Sequence, residues 1–532
     1  MAKKLTIDGK EITAPDDATI IQAAHEAGIV IPRYCYHPKL SIAGNCRMCL
    51  VELEGRPKLE ISCNTPVADN MVVHTNSPAV VEGRRAVLEF LLINHPLDCP
   101  ICDQAGECGL QDYYMQYGLY HSRFQEEKVH GRKVVDFGPD VVFDSERCIL
   151  CTRCVRFCKE ISKTNELGLF ERGDQAQIAT FPGKQLDNPY AGNTVDICPV
   201  GALTSKDFRF KIRVWFLQET KSVCPGCARG CNIDIHHHNG HVYRLKPRQN
   251  DAVNETWMCD AGRFSYKAIN DNRVFYPQIR QDGRLQQASW PVALEQALEA
   301  IRRHGGAAVG IVVAPQGTNE DHYLLARLAS DVLMTPHVAL YPGVPGDEDD
   351  FLIRADKNPN TRGAQDMGLP SPATAAELTA MAQAIEQGTV KVLYAIGVNL
   401  DEAFGAEAVT RWSTQLDCLI VQTSNTVPGC EQAHVLLPSA SYAERDGTFT
   451  NFQGYLQRLS AAFAPHGEAL PAWQIYTRLA QGLGHTWTYA AAEGVLHDIA
   501  AAIPAYAGLS YAKIGDLGCS VAHARSQGLE SG

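Results

Sequence analysis

Residues 95–114 read HPLDCPICDQAGECGLQDYY, with three residues between His95 and Cys99 and then Cys102 and Cys108, a spacing of H-x3-C-x2-C-x5-C. Gly106, Gly109 and the prolines leave this stretch little to pack. Something bound by the side chains has to hold the loop. The chain has 19 cysteines among 532 residues, and sixteen of them precede residue 260. Clustered cysteines at short spacing in a chain without an export signal read as metal ligands rather than disulfides. The N-terminus MAKKLTIDGKEI has no apolar signal core and no Arg/Ser-rich transit character, so an intracellular protein is expected. A formal charge of −12 argues against nucleic acid as the main partner. No run of 18 apolar residues is available to cross a bilayer.

Three further sets share this character. In YCYHPKLSIAGNCRMCLVE (34–52) and ISCNTP (61–66), Cys35, Cys46, Cys49 and Cys63 place C-x2-C inside a loop, with one cysteine before and one after. That order matches 2Fe–2S ferredoxins, although the first gap exceeds the C-x4-C of the plant type. Gly44 and Asn45 allow the loop to close and aim N–H groups at sulfur. In RCILCTRCVRFCKE (147–160), Cys148, Cys151, Cys154 and Cys158 follow the bacterial ferredoxin run, but Cys158 precedes Lys159 whereas Cys198 precedes Pro199 in DICPVGAL (196–203). In that run the cysteine before proline serves a different cluster. Cys198 is therefore the expected fourth ligand, and Cys158 a packed free thiol. The last set, Cys224, Cys227, Cys231 and Cys259, is spaced C-x2-C-x3-C-x27-C and suits a 4Fe–4S cluster held between two β-hairpins. Structural zinc accepts the same ligand types and stands as the alternative for each set. The His95 set, lying between two cluster-like sets, reads as a 4Fe–4S site with one imidazole. Imidazole is neutral where thiolate is negative, which favours the reduced state. His236-His237-His238 alternate in a strand, so they cannot converge on one ion and read as a polar strand surface. Cys418 reads as core.

Around these sets, KLTIDGKEI predicts a hairpin turning at Asp8-Gly9, Ala18–Ala27 a helix, and RRAVLEFLLIN (84–94) a helix ending just before His95. From about residue 285 the texture changes. GIVVA (310–314), VKVLYAIGVNL (390–400) and DCLIVQTSN (417–425) predict buried strands. Thr318 caps a helix over NEDHYLLARLASDVL (319–333). Alternating strands and helices predict a doubly wound α/β domain. No repeat of fixed period and no low-complexity tract is seen. No G-x-G-x-x-G opens a βαβ unit, and GVPGDE near 343 lacks that context, so no NADH or flavin site is expected here.

Together, HPLDCPICDQAGECGLQD, CILCTRCVRFC and DICPVGALTSKDF resemble the large iron–sulfur subunit family of respiratory complex I, closely over about residues 1–275 and more loosely beyond. SWPVALEQALEAI and HVLLPSASYAERDGTFTNFQGYLQR resemble molybdopterin oxidoreductases such as formate dehydrogenases. No cysteine lies between Cys259 and Cys418 to bind the metal, and the chain stops soon after GTFTNFQG. The resemblance implies an α+β N-terminal half of ferredoxin-like modules followed by a truncated α/β molybdopterin-oxidoreductase-like domain without molybdenum. It implies a 2Fe–2S module over 1–80 and a His(Cys)3-ligated 4Fe–4S module over 81–121. A ferredoxin-like 4Fe–4S module over 140–215, a further 4Fe–4S module over 217–274 and the scaffold domain over 275–532 follow. One 2Fe–2S and three 4Fe–4S clusters are expected, with no catalytic residue in this chain. The implied activity is electron relay from the NADH/FMN module towards quinone. The implied partners are a flavin- and NADH-binding subunit, a 2Fe–2S subunit and quinone-side iron–sulfur subunits. The implied place is the cytoplasmic side of the bacterial inner membrane, reached only through the complex. The iron–sulfur subunit of an NAD-linked formate dehydrogenase or of a hydrogenase is the competing reading.

Overall fold

The computed structural model describes residues 2–521. The chain divides into two compact units, Met1–Leu217 and Gln218–Gly532.

In the first unit, β1 (Ala2–Ile7) and β2 (Lys10–Pro15) form the expected hairpin. Asp8 and Gly9 both have positive φ, 49° and 80°, the paired left-handed turn whose twist suits a hairpin. Helix α1 (Ile20–Glu26) starts at Thr19, whose N–H donates to Gln22 Oε1 at 2.8 Å. Strands β3 (Leu50–Leu53), β4 (Glu60–Ile61) and β5 (Met71–His74) complete a five-stranded sheet of order β2-β1-β5-β3-β4, with β1 and β5 parallel. Ile7, Ile20, Ile21, Val51 and Val73 fill the core between α1 and this sheet.

Helix α2 spans Pro78–Leu92, so it begins earlier than its apolar run suggests. Ser77 caps it, accepting the Val80 N–H, and Pro78 stands at the first helical position. Helix α3 (Gly109–Tyr117) follows directly on Cys108, where only a loop is expected from the glycines. Arg84, 1% exposed, donates to Tyr117 Oη at 3.0 Å and to the Leu50 carbonyl at 2.9 Å, tying α2 to α3 and β3. Then come β6 (Val135–Asp136), β7 (Val141–Phe143), α4 (Arg153–Glu160), β8 (Leu167–Phe170), β9 (Gln177–Thr180), α5 (Asn193–Asp196) and β10 (Leu203–Ser205). They form a three-stranded sheet, β10-β7-β6, and a separate β8–β9 hairpin.

The second unit opens with an antiparallel meander of β11 (Gln218–Val223), β12 (Asn232–His238) and β13 (His241–Pro247), followed by the short helices α6 (Asp260–Phe264) and α7 (Lys267–Asn270). Next come β14 (Gln278–Gln281), β15 (Arg284–Gln287), α8 (Trp290–His304), β16 (Val309–Val313), α9 (Asn319–Arg327), β17 (Val338–Leu340), β18 (Val392–Ile396), β19 (Cys418–Thr423) and β20 (Val435–Pro438). The seven-stranded sheet runs β15-β14-β20-β19-β18-β16-β17. Strands β20 to β17 are mutually parallel, and the β14–β15 hairpin adds an antiparallel edge. Every residue of β16, β18 and β19 is buried. Ile311, Tyr394 and Ile420 face one core, and Val312, Leu393 and Leu419 face the other. Two covered faces explain why these strands read as continuous apolar runs.

Thr318 caps α9 reciprocally. Its Oγ1 accepts the Asp321 N–H at 3.2 Å, and Asp321 Oδ2 accepts the Thr318 N–H at 2.9 Å. The α-helix proper ends at Arg327 and continues as a π-turn over Leu328–Leu333, which places Met334 at φ 51°. Thr318→Ala is expected to lower unfolding stability by about 1–2 kcal/mol. Denaturant titration checks this, and an unchanged midpoint contradicts the role of the cap.

Candidate metal centres

In the first set, Cys49 stands just before β3 and Cys63 just after β4, brought near each other by the pairing of Leu50 with Ile61. Cys35, Cys49 and Cys63 are buried and Cys46 is half-buried. The Cys35 N–H points at Cys46 Sγ at 3.4 Å. The Cys46 and Cys63 side chains hydrogen-bond towards Cys35 and hold its thiol far below the ordinary range. Cys63 does the same for Cys49, bringing it to about 7. The Asn45 N–H also faces the Cys35 sulfur and the Met48 N–H the Cys46 sulfur. Gly44 has φ +62°, the left-handed region that favours glycine.

In the second set, His95, Cys99 and Cys108 line one cavity of 740 Å³ together with Leu88, Leu92, Pro96 and Tyr114. Cys99 is exposed, and Cys102 and Cys108 are buried. Burial pulls the His95 imidazole down to about 4, which keeps it neutral and able to ligate. Backbone N–H groups of Gln111 and Leu110, at the start of α3, face the Cys108 sulfur, and the Gln104 N–H faces Cys102. Helix α3 thus aims its first N–H groups at a cysteine of the set. Asp98 is held by Arg147 at 2.6 Å and Lys133 at 3.1 Å. Gly201 is fixed by the same set, because a Cβ there would stand 2.3 Å from Cys102 Sγ.

The third set closes on a small pocket of 20 Å³ lined by Cys148, Cys151, Cys154 and Cys198 with Phe143, Ile178, Val200 and Leu203. Burial pushes the Cys148 thiol up to about 12 and Cys151 to about 11. Such sites favour a bound, charge-sharing partner over free thiolates. Leu150 donates to Cys148 Sγ at 3.4 Å, and the N–H groups of Val200, Leu203 and Ala202 surround the Cys198 sulfur. Leu150 and Thr152 have positive φ, 53° and 61°, so the loop is bent tightly around the pocket. Cys158 is absent from this lining. It packs beside Glu166 and Ser162, and burial raises it to about 12.

In the fourth set, Cys224, Cys227 and Cys231 occupy the turn between β11 and β12, and Cys259 caps α6. The fourth cysteine therefore comes from a helix start, not from a second hairpin. Cys259 Sγ accepts the Gly262 N–H at 3.3 Å. A Cβ on Gly262 would stand 2.9 Å from Cys224 Sγ and 3.4 Å from Cys259 Sγ. The three histidines correct an expectation. His236 and His237 are both buried, because a register shift between them breaks the strand alternation. His237 faces Thr220 Oγ1 at 3.1 Å and the Phe463 ring, and His236 lies 3.3 Å from the Arg244 guanidinium.

Among the described residues, no group of three or more His, Cys, Asp or Glu closes on a single metal-ion position. A cluster, bound through separate irons by thiolates, places a looser demand on its ligands. Gathered cysteines, burial and N–H donors aimed at sulfur are features that fit such clusters. The second unit also holds a 520 Å³ cavity lined by Ala314, Gly397, Thr423 and Ser439 at the carboxyl ends of its parallel strands, with Gly226 on the facing wall. This is where doubly wound sheets place ligands. No cysteine is among its lining residues.

Comparison with known proteins matches the 2Fe-2S iron-sulfur cluster binding domain over residues 3–78 and the NADH-ubiquinone oxidoreductase-G iron-sulfur binding region over 84–123. The ferredoxin-like domain of NADH-quinone oxidoreductase subunit 3 matches over 138–204, and the molybdopterin oxidoreductase Fe4S4 domain over 217–271. The molybdopterin oxidoreductase model matches 355–482. The G-type subunit of NADH-quinone oxidoreductase from Rickettsia felis is 47% identical over 301 residues, covering 56% of this chain and 44% of that one. The mitochondrial NADH-ubiquinone oxidoreductase 78 kDa subunit of Neurospora crassa is 48% identical over 302 residues, covering 56% and 40%. The NADH-ubiquinone oxidoreductase 75 kDa subunit of Reclinomonas americana is 46% identical over 308 residues, covering 58% and 44%. The matched stretch thus spans less than half the length of each of these relatives. Domains that bind 2Fe–2S and 4Fe–4S clusters are present, and the matched domains contain the four cysteine sets. Over this iron–sulfur half the chain resembles the family formed by the G-type and 75-kDa subunits of NADH-quinone oxidoreductases.

Proposed function

We propose that this chain is the electron-carrying iron–sulfur subunit of an NADH-quinone oxidoreductase, standing between an NADH- and flavin-binding partner and quinone. The observation that carries this reading is the gathering of ligand sets with backbone N–H groups aimed at the sulfurs, within domains matched to cluster-binding models. Clusters, when bound, supply one-electron carrier sites whose potentials follow ligand type, burial and hydrogen bonding. In this reading Cys35, Cys46, Cys49 and Cys63 hold a 2Fe–2S cluster. His95, Cys99, Cys102 and Cys108 hold a 4Fe–4S cluster, Cys148, Cys151, Cys154 and Cys198 a second, and Cys224, Cys227, Cys231 and Cys259 a third. The modules run over 1–80, 81–121, 140–215 and 217–274, and the domain over 275–532 is a scaffold without molybdenum.

The chain's own residues set spacing, exclude water and orient donors. No helix of the described residues is long and apolar enough to cross a membrane. We place the chain with the flavin- and NADH-binding subunit, a 2Fe–2S subunit and quinone-side iron–sulfur subunits, on the cytoplasmic face of a bacterial inner membrane.

Rapid mixing of the assembled enzyme with NADH, followed by freeze-quench EPR, tests this. The cluster signals of this chain are expected to appear within one turnover and to be reoxidised by quinone. Signals that stay silent while quinone is reduced overturn the reading. Reduction by formate with stoichiometric molybdenum replaces it with the formate dehydrogenase reading.

A further inference from the structure

The motif CILCTRCVRFC contains two arginines that the ligand reading leaves without a task. Arg156, on α4, is 9% exposed, and the acceptors of its guanidinium are neutral oxygens, three backbone carbonyls and the Thr152 hydroxyl. Its Nη2 donates to the Cys35 carbonyl at 2.6 Å and to the Cys151 carbonyl at 3.2 Å, and its Nη1 donates to the Ser41 carbonyl. One guanidinium therefore joins the backbone of a first-set cysteine to that of a third-set cysteine. Arg153 repeats the pattern one residue away on each side. Its Nη2 donates to the Tyr36 carbonyl at 2.5 Å and its Nη1 to the Ile197 carbonyl at 3.0 Å, next to Cys35 and Cys198. Asn45 adds a third strap, donating to the Leu150 carbonyl at 3.1 Å. A buried cation with only neutral acceptors is costly unless a nearby anion offsets it. Both neighbouring ligand sets are anionic when loaded. The fork geometry of guanidinium, with five donors, serves several carbonyls at once where an ammonium cannot.

We propose that Arg156 is a positioning residue that fixes the separation of the first and third ligand sets and places one buried positive charge between them. This rests on the reading that both sets hold iron–sulfur clusters. A charge shared by two centres favours reduction of each, since reduction adds a negative charge. The fixed separation sets how strongly the two reduced centres interact magnetically.

The test uses the full chain, prepared without oxygen, as wild type, Arg156→Met and Arg156→Lys, with iron and sulfide assays and EPR redox titration. Arg156→Met is expected to keep iron at the wild-type level and to disfavour reduction of both centres about tenfold, which is 59 mV for one electron. The second- and fourth-set signals stay put. Arg156→Lys keeps the charge but not the fork. Its potentials stay within twofold of wild type, while the magnetic interaction between the two centres weakens. Potentials unchanged in Arg156→Met overturn the electrostatic role. An unchanged magnetic interaction in Arg156→Lys overturns the positioning role, and this second readout decides if Arg156→Met loses iron. A wild-type chain that shows no first-set or third-set cluster signal instead refutes the cluster reading itself.

Discussion

Cys198→Ala removes one four-iron EPR signal from the reduced protein and about four irons from its content, whereas Cys158→Ala leaves both at the wild-type level. Cys158 is buried and Cys198 half-buried, and burial alone does not mark either as the ligand. Position does. Cys198 lines the pocket of Cys148, Cys151 and Cys154, with N–H groups of Val200, Leu203 and Ala202 around its sulfur. Cys158 follows Cys154 on the same short helix but packs beside Glu166, which in turn accepts from Asn188 N–H at 3.1 Å. A carboxylate is a poor neighbour for an anionic cluster, and a thiol there serves as packing. Iron analysis with EPR of both variants decides. The reverse pattern transfers the ligand role to Cys158.

Glu320→Gln changes how stability depends on pH, with the largest stability effect expected in the second unit. Glu320 is fully buried. Its Oε2 accepts the Thr448 N–H at 2.8 Å, and its Oε1 lies 3.1 Å from Thr448 Oγ1 and 3.3 Å from Tyr511 Oη. Burial lifts its carboxyl from 4.5 to about 7, although the N–H groups of Glu320 itself and Thr448 oppose the rise. The folded state therefore binds this proton more tightly than the unfolded state does. Below pH 4.5 both states are protonated and the group costs nothing. Between 4.5 and 7 stability is lost as pH rises, and above 7 the loss is complete. At about 1.4 kcal/mol per pH unit the loss is about 3 kcal/mol. Glutamine keeps the acceptor for the Thr448 N–H without the charge. The variant is expected to gain about 3 kcal/mol on the wild type between pH 4.5 and 8. Denaturant unfolding across that range checks this. A pH-independent difference shows that Glu320 is not the group responsible.

The elements legible in the sequence are those whose signal is local. The Asp8-Gly9 turn, the Thr318 cap and the apolar strands around Ile311, Tyr394 and Ile420 each carry their cause within a few residues. The placing of Cys198 beside Cys148, Cys151 and Cys154 was legible because proline follows it. What escaped depends on partners far along the chain. Helix α3 begins at a glycine, and its cause is tertiary: Gly109 N–H donates to the Pro199 carbonyl at 3.0 Å, and Arg84 holds Tyr117. The His236–His237 burial depends on a bulge that no composition signals. The straps of Arg156 and Asn45 join residues more than a hundred positions apart, as does the bond from Arg153 to Tyr36, and nothing in a single sequence pairs them. The only local hint was basic residues placed inside a cysteine motif. Gly201 likewise looks ordinary until the approach of Cys102 Sγ is seen.

The most direct measurement is iron and acid-labile sulfide content of the full chain purified without oxygen, read beside the EPR spectrum of the dithionite-reduced protein. One two-iron and three four-iron sites give about fourteen irons per chain with matching sulfide, and a brown protein with distinct two-iron and four-iron signals. A colourless protein with about four zinc ions, no sulfide and no reduced signal contradicts the account.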